Sequence, residues 1–283
     1  MTIAAARPAS TVVLLRPSPV RFDVFLVRRH ESTTFMGGAH VFPGGRVDPH
    51  DRLEQPREIC DGVDTAIARM ENLDPIDAVA LYVAAVRELF EEAGVLLARD
   101  ATGAPVALGE ERWRAHRAAL AARTMTLAEI AAGERVRLAL DTLAPFAHWI
   151  TPEEETKRFD VRFFMAALPS GQEPSHDHGE MSEGVWLDPS AAIEQSRAGA
   201  IALPPPTWTT LRMLERLRTV EAVRAWAREQ PLVPVRPRMS DEEGVRRLTL
   251  PGDPEHSAIA GFETPAETRF VLDDRRWRPV KPE

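Results

Sequence analysis

Residues 87–94 read Arg-Glu-Leu-Phe-Glu-Glu-Ala-Gly and place three glutamates in the last turns of a predicted helix. At about 100° per residue, Glu91 and Glu92 lie roughly 60° and 40° to either side of Glu88, so the three carboxylates share one arc. The large apolar residues of 79–90 fall on the opposite arc. The stretch therefore predicts a helix that buries one face and gathers three acids on another.

Two local signals set the ends of this helix. Asp74 followed by Pro75 is typical of an N-cap and a first helical residue, and Gly94 is typical of a C-terminal stop. We therefore expect a helix from residue 75 to residue 92 or 93.

The three acids require a counter-charge. A helix dipole disfavours negative charge at the C-terminal end, and like charges three and four residues apart repel each other. A solvated acidic stripe is the simplest interpretation of such a cluster. Small and apolar residues on the same face (80, 81, 84 and 85) instead indicate that other parts of the chain cover it. Clustered carboxylate oxygens suit Mg²⁺ or Mn²⁺.

Composition excludes several classes of function. With 44% hydrophobic and 28% charged residues, the 283-residue chain is typical of a soluble globular protein. Its net charge of −8 argues against binding nucleic acid, and no apolar stretch is long enough to span a membrane. The single cysteine, Cys60, fits a reducing compartment, so we expect a cytoplasmic protein. Nicotinamide and ATP chemistry lack their glycine-rich motifs.

The order of predicted elements favours a mixed α/β (α+β) sandwich over a doubly wound parallel sheet. Strands are predicted at 12–16, 22–29, 39–42, 95–98, 146–150, 162–167, 185–187, 245–250 and 269–272. Besides the acidic helix, helices are predicted at 64–71, 110–123, 127–132, 191–197, 208–217 and 222–228. We expect one main domain over residues 1–220, and a C-terminal extension, 221–283, packed on it.

The acidic helix resembles the helical half of the Nudix box, the signature of hydrolases that act on nucleoside diphosphates linked to another moiety. The loop half of the box is also present: Pro43-Gly44-Gly45 is followed, after five intervening residues, by an acid, here Asp51 where the family has Glu. Arg87 then comes about 28 positions later than in the family pattern. The resemblance therefore implies an insertion within the box, at about 52–76.

A box split in this way resembles the branch of the Nudix family that includes the peroxisomal coenzyme A diphosphatases. Further segments resemble that branch, and together they extend the likeness over roughly residues 11–217: they are 35–45, 148–152, 158–160, 180–186 and 203–207. The resemblance implies a Nudix-type α/β/α sandwich with a mixed sheet. It also implies hydrolysis of a diphosphate with the help of Mg²⁺ or Mn²⁺.

The resemblance assigns roles residue by residue. The metal ligands would be Glu88, Glu91, Glu92 and the carbonyl of Gly44, while Arg87 would orient a carboxylate. The general base stays open among Glu88, Glu180, Glu183 and the acidic run 153–155; Glu180 ranks first among the loop candidates, and the run reads more simply as a solvated turn. Substrate phosphates would be bound by five residues near the glycine loop and the strand ends: Arg28, Arg29, Gly45, Arg46 and Arg158. The His176-Asp177-His178 triplet reads as an exposed loop rather than a metal site.

The favoured reaction is hydrolysis of coenzyme A or acyl-coenzyme A to 3′,5′-ADP and (acyl-)phosphopantetheine. Two alternatives stay open: another nucleoside diphosphate derivative (ADP-ribose, NADH or a dinucleoside polyphosphate), and a non-catalytic Nudix module that binds a nucleotide and regulates something. We expect a small-molecule substrate and leave a homodimer open. The final residues, Lys281-Pro282-Glu283, do not suggest a peroxisomal address. We expect the insertion to lie over or beside the cleft and to shape the non-nucleotide side of the pocket.

Overall fold

A computed structural model describes residues 3–31, 36–175, 181–242 and 244–282. Its strands are β1 (Arg7–Pro17), β2 (Phe22–Arg29), β3 (His40–Val41), β4 (Gly44–Arg46), β5 (Cys60–Asp61), β6 (Ala98–Arg99), β7 (Arg137–Ala139), β8 (Ala144–Ile150), β9 (Phe159–Ala167), β10 (Met181–Leu187), β11 (Pro234–Val235), β12 (Arg238–Glu242), β13 (Val245–Thr249), β14 (Arg269–Asp273) and β15 (Arg276–Val280). Its helices are α1 (Pro56–Ile59), α2 (Val63–Arg69), α3 (Pro75–Ala93), α4 (Glu111–Ala121), α5 (Leu127–Glu134), α6 (Pro189–Arg197), α7 (Pro205–Leu214) and α8 (Val220–Glu229).

The main sheet is mixed, in the order β10-β2-β1-β9-β8-β11. Its central strands β1 and β9 run parallel, while β2 and β8 flank them in antiparallel pairing. The short strand β4 pairs with β1, with Gly44 opposite Thr11 and Gly45 opposite Ser10. This pairing fixes the glycine loop against the centre of the sheet.

The apolar run in β1 is buried on both faces because helices cover both sides of the sheet. Val12 and Leu14 pack into the core on the α3 side, whereas Val13 and Leu15 pack into the core formed with α6, α7 and α8. Alternate strand residues point to opposite faces, so one four-residue run contributes to two cores. The predicted α/β/α sandwich with a mixed sheet is confirmed.

Helix α3 begins and ends at the predicted residues. The Asp74 side chain accepts a hydrogen bond from the amide of Ile76, Pro75 is the first helical residue, and Gly94 ends the helix in a left-handed conformation with φ of 64°. The buried Ser10 hydroxyl donates to the carbonyl of Leu81 at 2.6 Å, which ties the helix to β1. Helix and glycine loop are thus both positioned by one strand.

The insertion packs against α3 and does not line the cleft described below. Val63, Ala66 and Met70 bury their side chains in the α3-side core, and β5 pairs with β7. None of residues 52–76 lines that cleft among the residues the structure describes. The expectation that the insertion shapes the pocket is therefore wrong, because its apolar side chains complete the core instead.

The predicted strand at 95–98 is also wrong over most of its length, since only Ala98–Arg99 is extended and paired. The amide of Val95 still bonds back to the carbonyl of Leu89 in α3, and the amide of Leu96 bonds to the side chain of Gln172. These bonds use the donors that a strand would offer to a neighbour.

The segment after residue 220 builds onto the main sheet and then forms a second sheet. Helix α8 packs against β8, and β11 pairs with the same strand. Strands β12 to β15 follow as a four-stranded antiparallel sheet, whose Leu248 and Phe270 are buried in the core beside α6 and α7. Within the described ranges, no helix has the length and apolar character needed to cross a membrane.

Candidate active site

Arg87 is the centre of an acidic cluster at the end of α3. Its guanidinium donates to both Asp51 carboxylate oxygens at 2.9 and 3.0 Å, to Glu88 at 2.8 Å and to Glu91 at 3.3 Å. A further bond to the carbonyl of Arg46, at 2.7 Å, fixes the chain just after the glycine loop. The Arg87 side chain is only 11% exposed, which rules out a free surface arginine. It contacts three carboxylates, those of Asp51, Glu88 and Glu91.

Asp51 reaches Arg87 although it is shorter than the glutamate of the family pattern. It ends a 3-10 turn at Pro49–Asp51, and its carboxylate also accepts the amide of Asp48 at 2.7 Å. The turn brings the buried Asp51 to the helix despite the 36 residues that separate it from Arg87. The two halves of the split box therefore meet in space.

The glycine loop contacts the other face of the cluster. The Gly44 amide donates to a Glu92 carboxylate oxygen at 2.8 Å. A Cβ at Gly45 would lie 2.5 Å from Glu88 Oε1, and a Cβ at Gly44 would lie 2.6 Å from the Thr11 Cα. Gly44 requires glycine, because the β1 backbone occupies the space of a side chain, whereas a side chain at Gly45 would displace the Glu88 carboxylate.

Burial perturbs the protonation of these acids. Desolvation raises the pKa of Glu88 to about 7, although the neighbouring Arg87 acts in the opposite direction. Desolvation likewise raises the pKa of Asp51 and of Glu91. Burial lowers the pKa of Arg87, but the hydrogen bonds that it donates to Asp51 and the charges of the surrounding carboxylates outweigh this effect and hold the pKa above its usual range. One guanidinium thus shares a buried site with an excess of carboxylates.

The oxygen atoms gathered at the end of α3 are the kind of ligand that a hard divalent cation prefers. Glu88 and Glu92 are buried one helical turn apart, with Glu91 half-buried between them, and Gly44 lies against Glu92. Among the described residues, no three acidic, histidine or cysteine side chains converge closely enough to form a metal site. Arg87 and the Gly44 amide engage the carboxylates instead. Glutamate side chains have three rotatable bonds, so rotation can turn these oxygens toward a cation.

A cleft opens beside the glycine loop, with a volume of about 1010 Å³ including its mouth. Gly44 lines it and is also bonded to Glu92, so the cleft and the acidic cluster meet at this residue. The cleft is lined by strands of the main sheet, by the start of α7 and by the C-terminal sheet: Thr11, Phe42, Trp149, Phe159, Val161, Phe163, Pro204, Thr207, Met239 and Trp277 are among its residues.

The predicted phosphate-binding arginines have different surroundings. Arg29 lines the cleft, and no carboxylate of the described residues forms an ion pair with it. Arg28 donates to Glu31 at 2.6 Å, and the Arg46 side chain is exposed. Arg158 is buried, and its guanidinium donates to the carbonyls of Thr151, Pro152 and Ala4. Arg29 is therefore the best placed of the four to meet a substrate, while Arg158 has its donors engaged by backbone.

The candidate general bases also differ in where they lie relative to the cleft. In the acidic run, Glu155 lines the cleft, whereas Glu153 and Glu154 are exposed. Glu183 is exposed on β10, opposite Arg28. Glu180 and the triplet 176–178 lie outside the described residues.

Two segments quoted only for their likeness prove to line the cleft. Trp149 to Pro152, at the end of β8, and Pro204 to Thr207, at the start of α7, both belong to its wall. No role was predicted for the cleft residues beyond 220, because short β-prone segments carry no sign of what they pack against.

A mixed sheet, a helix carrying the glutamates and a glycine loop bonded to them define the class of protein: a hydrolase of the Nudix fold. The chain belongs to the Nudix family, since the family model described as the NUDT19 Nudix domain matches residues 55–214, more than half of its length.

Relatives and solved structures agree with this assignment. The chain is 31% identical to the human acyl-coenzyme A diphosphatase NUDT19 over 74% of this chain and 65% of that protein. It is 24% identical to the Xenopus laevis protein of the same name, over 85% of this chain and 73% of that one. A Nudix hydrolase structure from Alicyclobacillus acidocaldarius superposes with a TM-score of 0.62 at 26% identity, covering 75% of this chain and 92% of that one. The chain thus spans about two thirds of the human relative's length.

Proposed function

We propose that this protein is a divalent-metal-dependent diphosphatase that hydrolyses coenzyme A or acyl-coenzyme A to 3′,5′-ADP and (acyl-)phosphopantetheine. The observation that carries the proposal is the Arg87-centred cluster of carboxylates, which touches the glycine loop where that loop borders the cleft. The names of the human and Xenopus relatives supply the substrate class.

The metal ligands we propose are Glu88, Glu91, Glu92 and the carbonyl of Gly44. A bound Mg²⁺ or Mn²⁺ would supply positive charge against the phosphate oxygens, which otherwise repel an incoming nucleophile. Arg87 would not touch substrate in this scheme. It bonds to Glu88, Glu91 and Asp51, and the Gly44 amide bonds to Glu92, so these contacts keep the carboxylates together at the end of α3.

The reaction is attack of water on one phosphorus of the diphosphate. A bond forms from the water oxygen to phosphorus, the bond from that phosphorus to the bridging oxygen breaks, and a base takes the water proton. Glu88 and Glu155 are the described candidates for this base, one in the cluster and one in the cleft wall. Arg29 is placed to neutralise a substrate phosphate, since it lines the cleft and can form bidentate bonds to phosphate oxygens.

The test is an assay of purified protein with coenzyme A and Mg²⁺ or Mn²⁺, resolving 3′,5′-ADP from phosphopantetheine by chromatography. Turnover should require the cation and should fall at least about 100-fold in Glu92→Gln, a change that keeps an oxygen for the Gly44 amide. The exposed Glu154→Gln is the matched control and should retain activity. Turnover of ADP-ribose, NADH or a dinucleoside polyphosphate instead would assign another Nudix specificity. Nucleotide binding without any turnover would indicate a regulator.

A further inference from the structure

The C-terminal sheet presents an apolar face to the cleft. Met239 on β12 and Leu248 on β13 are cross-strand partners, so their side chains point to the same face. Trp277 on β15 and Pro237, just before β12, add to the same part of the lining. The wall formed by these four residues, here called the extension wall, carries no charged side chain.

The opposite face of this sheet is polar, which explains why the extension wall faces inward. Arg247 precedes Leu248 on β13 and Arg278 follows Trp277 on β15, so both arginines point to this opposite face. Arg278 is exposed and paired with Asp273. On the inner face, Leu248 is buried while Met239 and Trp277 remain half-buried and border the cleft. The half-buried pair therefore offers apolar surface that the protein itself does not cover completely.

The lining of the cleft combines two kinds of surface. Gly44 and Arg29 border it on the side of the main sheet, where Gly44 joins it to the acidic cluster. The extension wall, together with Phe159 and Val161 of β9, supplies apolar lining to the same cleft. A ligand that carries a diphosphate at one end and an apolar group at the other would match this division.

We propose that the extension wall binds the acyl chain of an acyl-coenzyme A, so that Met239 and Trp277 set a preference for acylated over free coenzyme A. This inference rests on the proposed function, which names the reaction but not the group that enters this part of the cleft. An adenine ring is a poorer match, because a purine edge needs donors and acceptors and the extension wall offers only the indole of Trp277. A methionine and a leucine adapt to a flexible alkyl chain.

The experiment compares kcat/KM for octanoyl-coenzyme A and for coenzyme A in the wild type, Met239→Ala and Trp277→Ala. Each methylene that leaves water for an apolar wall strengthens binding by up to about fourfold, so the wild-type ratio should favour the octanoyl substrate at least about tenfold. Each cleft variant should reduce this ratio about fivefold to tenfold. Val245→Ala, which truncates an exposed apolar side chain on β13 outside the cleft, should leave both values unchanged.

A wild-type ratio near one, or a ratio that the cleft variants do not change, would overturn the inference and leave the proposed function standing. An equal loss for both substrates would also overturn it, since the wall would then contact a part common to the two. Should Trp277→Ala fail to fold, Met239→Ala and Met239→Glu carry the comparison.

Equilibrium binding separates this inference from a failure of the proposed function. Calorimetry in EDTA should show octanoyl-coenzyme A binding more tightly than coenzyme A, with the difference reduced in Met239→Ala. Absence of turnover with this binding difference intact would refute the reaction but support the subsite. Equal affinities would refute the subsite.

Discussion

Alanine substitutions at the two adjacent glycines of the loop should differ in their main effect. Gly44→Ala should mainly lower stability, whereas Gly45→Ala should mainly lower activity. At Gly45, the new Cβ would lie 2.5 Å from the Oε1 and 2.6 Å from the Cδ of Glu88. These atoms are the far end of a flexible side chain, so they can move at little cost in folding free energy. At Gly44, the Cβ would meet the β1 backbone, 2.6 Å from the Thr11 Cα and closer still to the Ser10 carbonyl. Backbone in the middle of a sheet cannot move in this way.

The expected magnitudes follow from these contacts. Gly44→Ala should lower the free energy of unfolding by about 3 kcal/mol, the upper end of the range for overpacking a core, and should lower Tm by roughly 6–12 °C. Gly45→Ala should lower it by less than about 1 kcal/mol. Because it displaces the Glu88 carboxylate by about 1 Å or more, it should nevertheless reduce kcat at least about 100-fold.

Thermal unfolding and the coenzyme A assay, run on both variants and the wild type, check this prediction. The reasoning would be refuted if Gly45→Ala kept wild-type turnover, or if both variants lost the same stability. The first result would separate Glu88 from catalysis, and the second would mean that Glu88 is packed too rigidly to move.

Three further predictions concern the charged residues. Glu155→Gln should lower kcat at least about tenfold if the cleft carboxylate acts as the general base. Glu154→Gln, a change at the exposed neighbour, should leave kcat unchanged. Equal activities in the two variants would exclude Glu155 as the base. Arg87→Gln should lower the free energy of unfolding in urea at pH 7 by about 3 kcal/mol, because it leaves buried carboxylates without their partner. The control Arg57→Gln, at an exposed ion pair, should change the free energy of unfolding by less than about 1 kcal/mol. Similar losses in the two variants would contradict the buried role of Arg87. In metal-free protein, Glu88 has its pKa raised by burial from an ordinary value near 4.5 to about 7, so the folded state binds the proton more tightly and stability should fall as pH rises from about 4.5 to 7. Glu88→Gln should remove this part of the slope, and an unchanged slope would show that other groups cause it.

Local sequence signals were sufficient to predict the acidic helix and its glutamates. Asp74, Pro75 and Gly94 act within a turn of the chain, so their effect does not depend on the rest of the fold. The strand at 12–16 was also predicted from its apolar run and lies within β1, but its neighbours in the sheet were not predicted. The features that were predicted need only residues close together in the chain.

Contacts between distant segments could not be predicted in the same way. The run 153–155 holds three identical side chains, and only the turn after β8 decides that Glu155 rather than Glu154 faces the cleft. The insertion was expected near the pocket because of its place in the box, yet Val63 and Met70 are buried beside α3. Met239 and Trp277 reach the cleft because the C-terminal sheet packs against the core beside α6 and α7, and no short motif records that packing.

The most direct test of the account is a titration of the metal-free protein with Mn²⁺, followed by electron paramagnetic resonance or calorimetry. We predict one saturable site in the wild type, and binding weakened at least about tenfold in Glu88→Gln and in Glu92→Gln, with Glu154→Gln unchanged. Wild-type protein that binds no Mn²⁺, or variants that bind it as tightly as the wild type, would contradict the claim that the glutamates of α3 hold the catalytic cation.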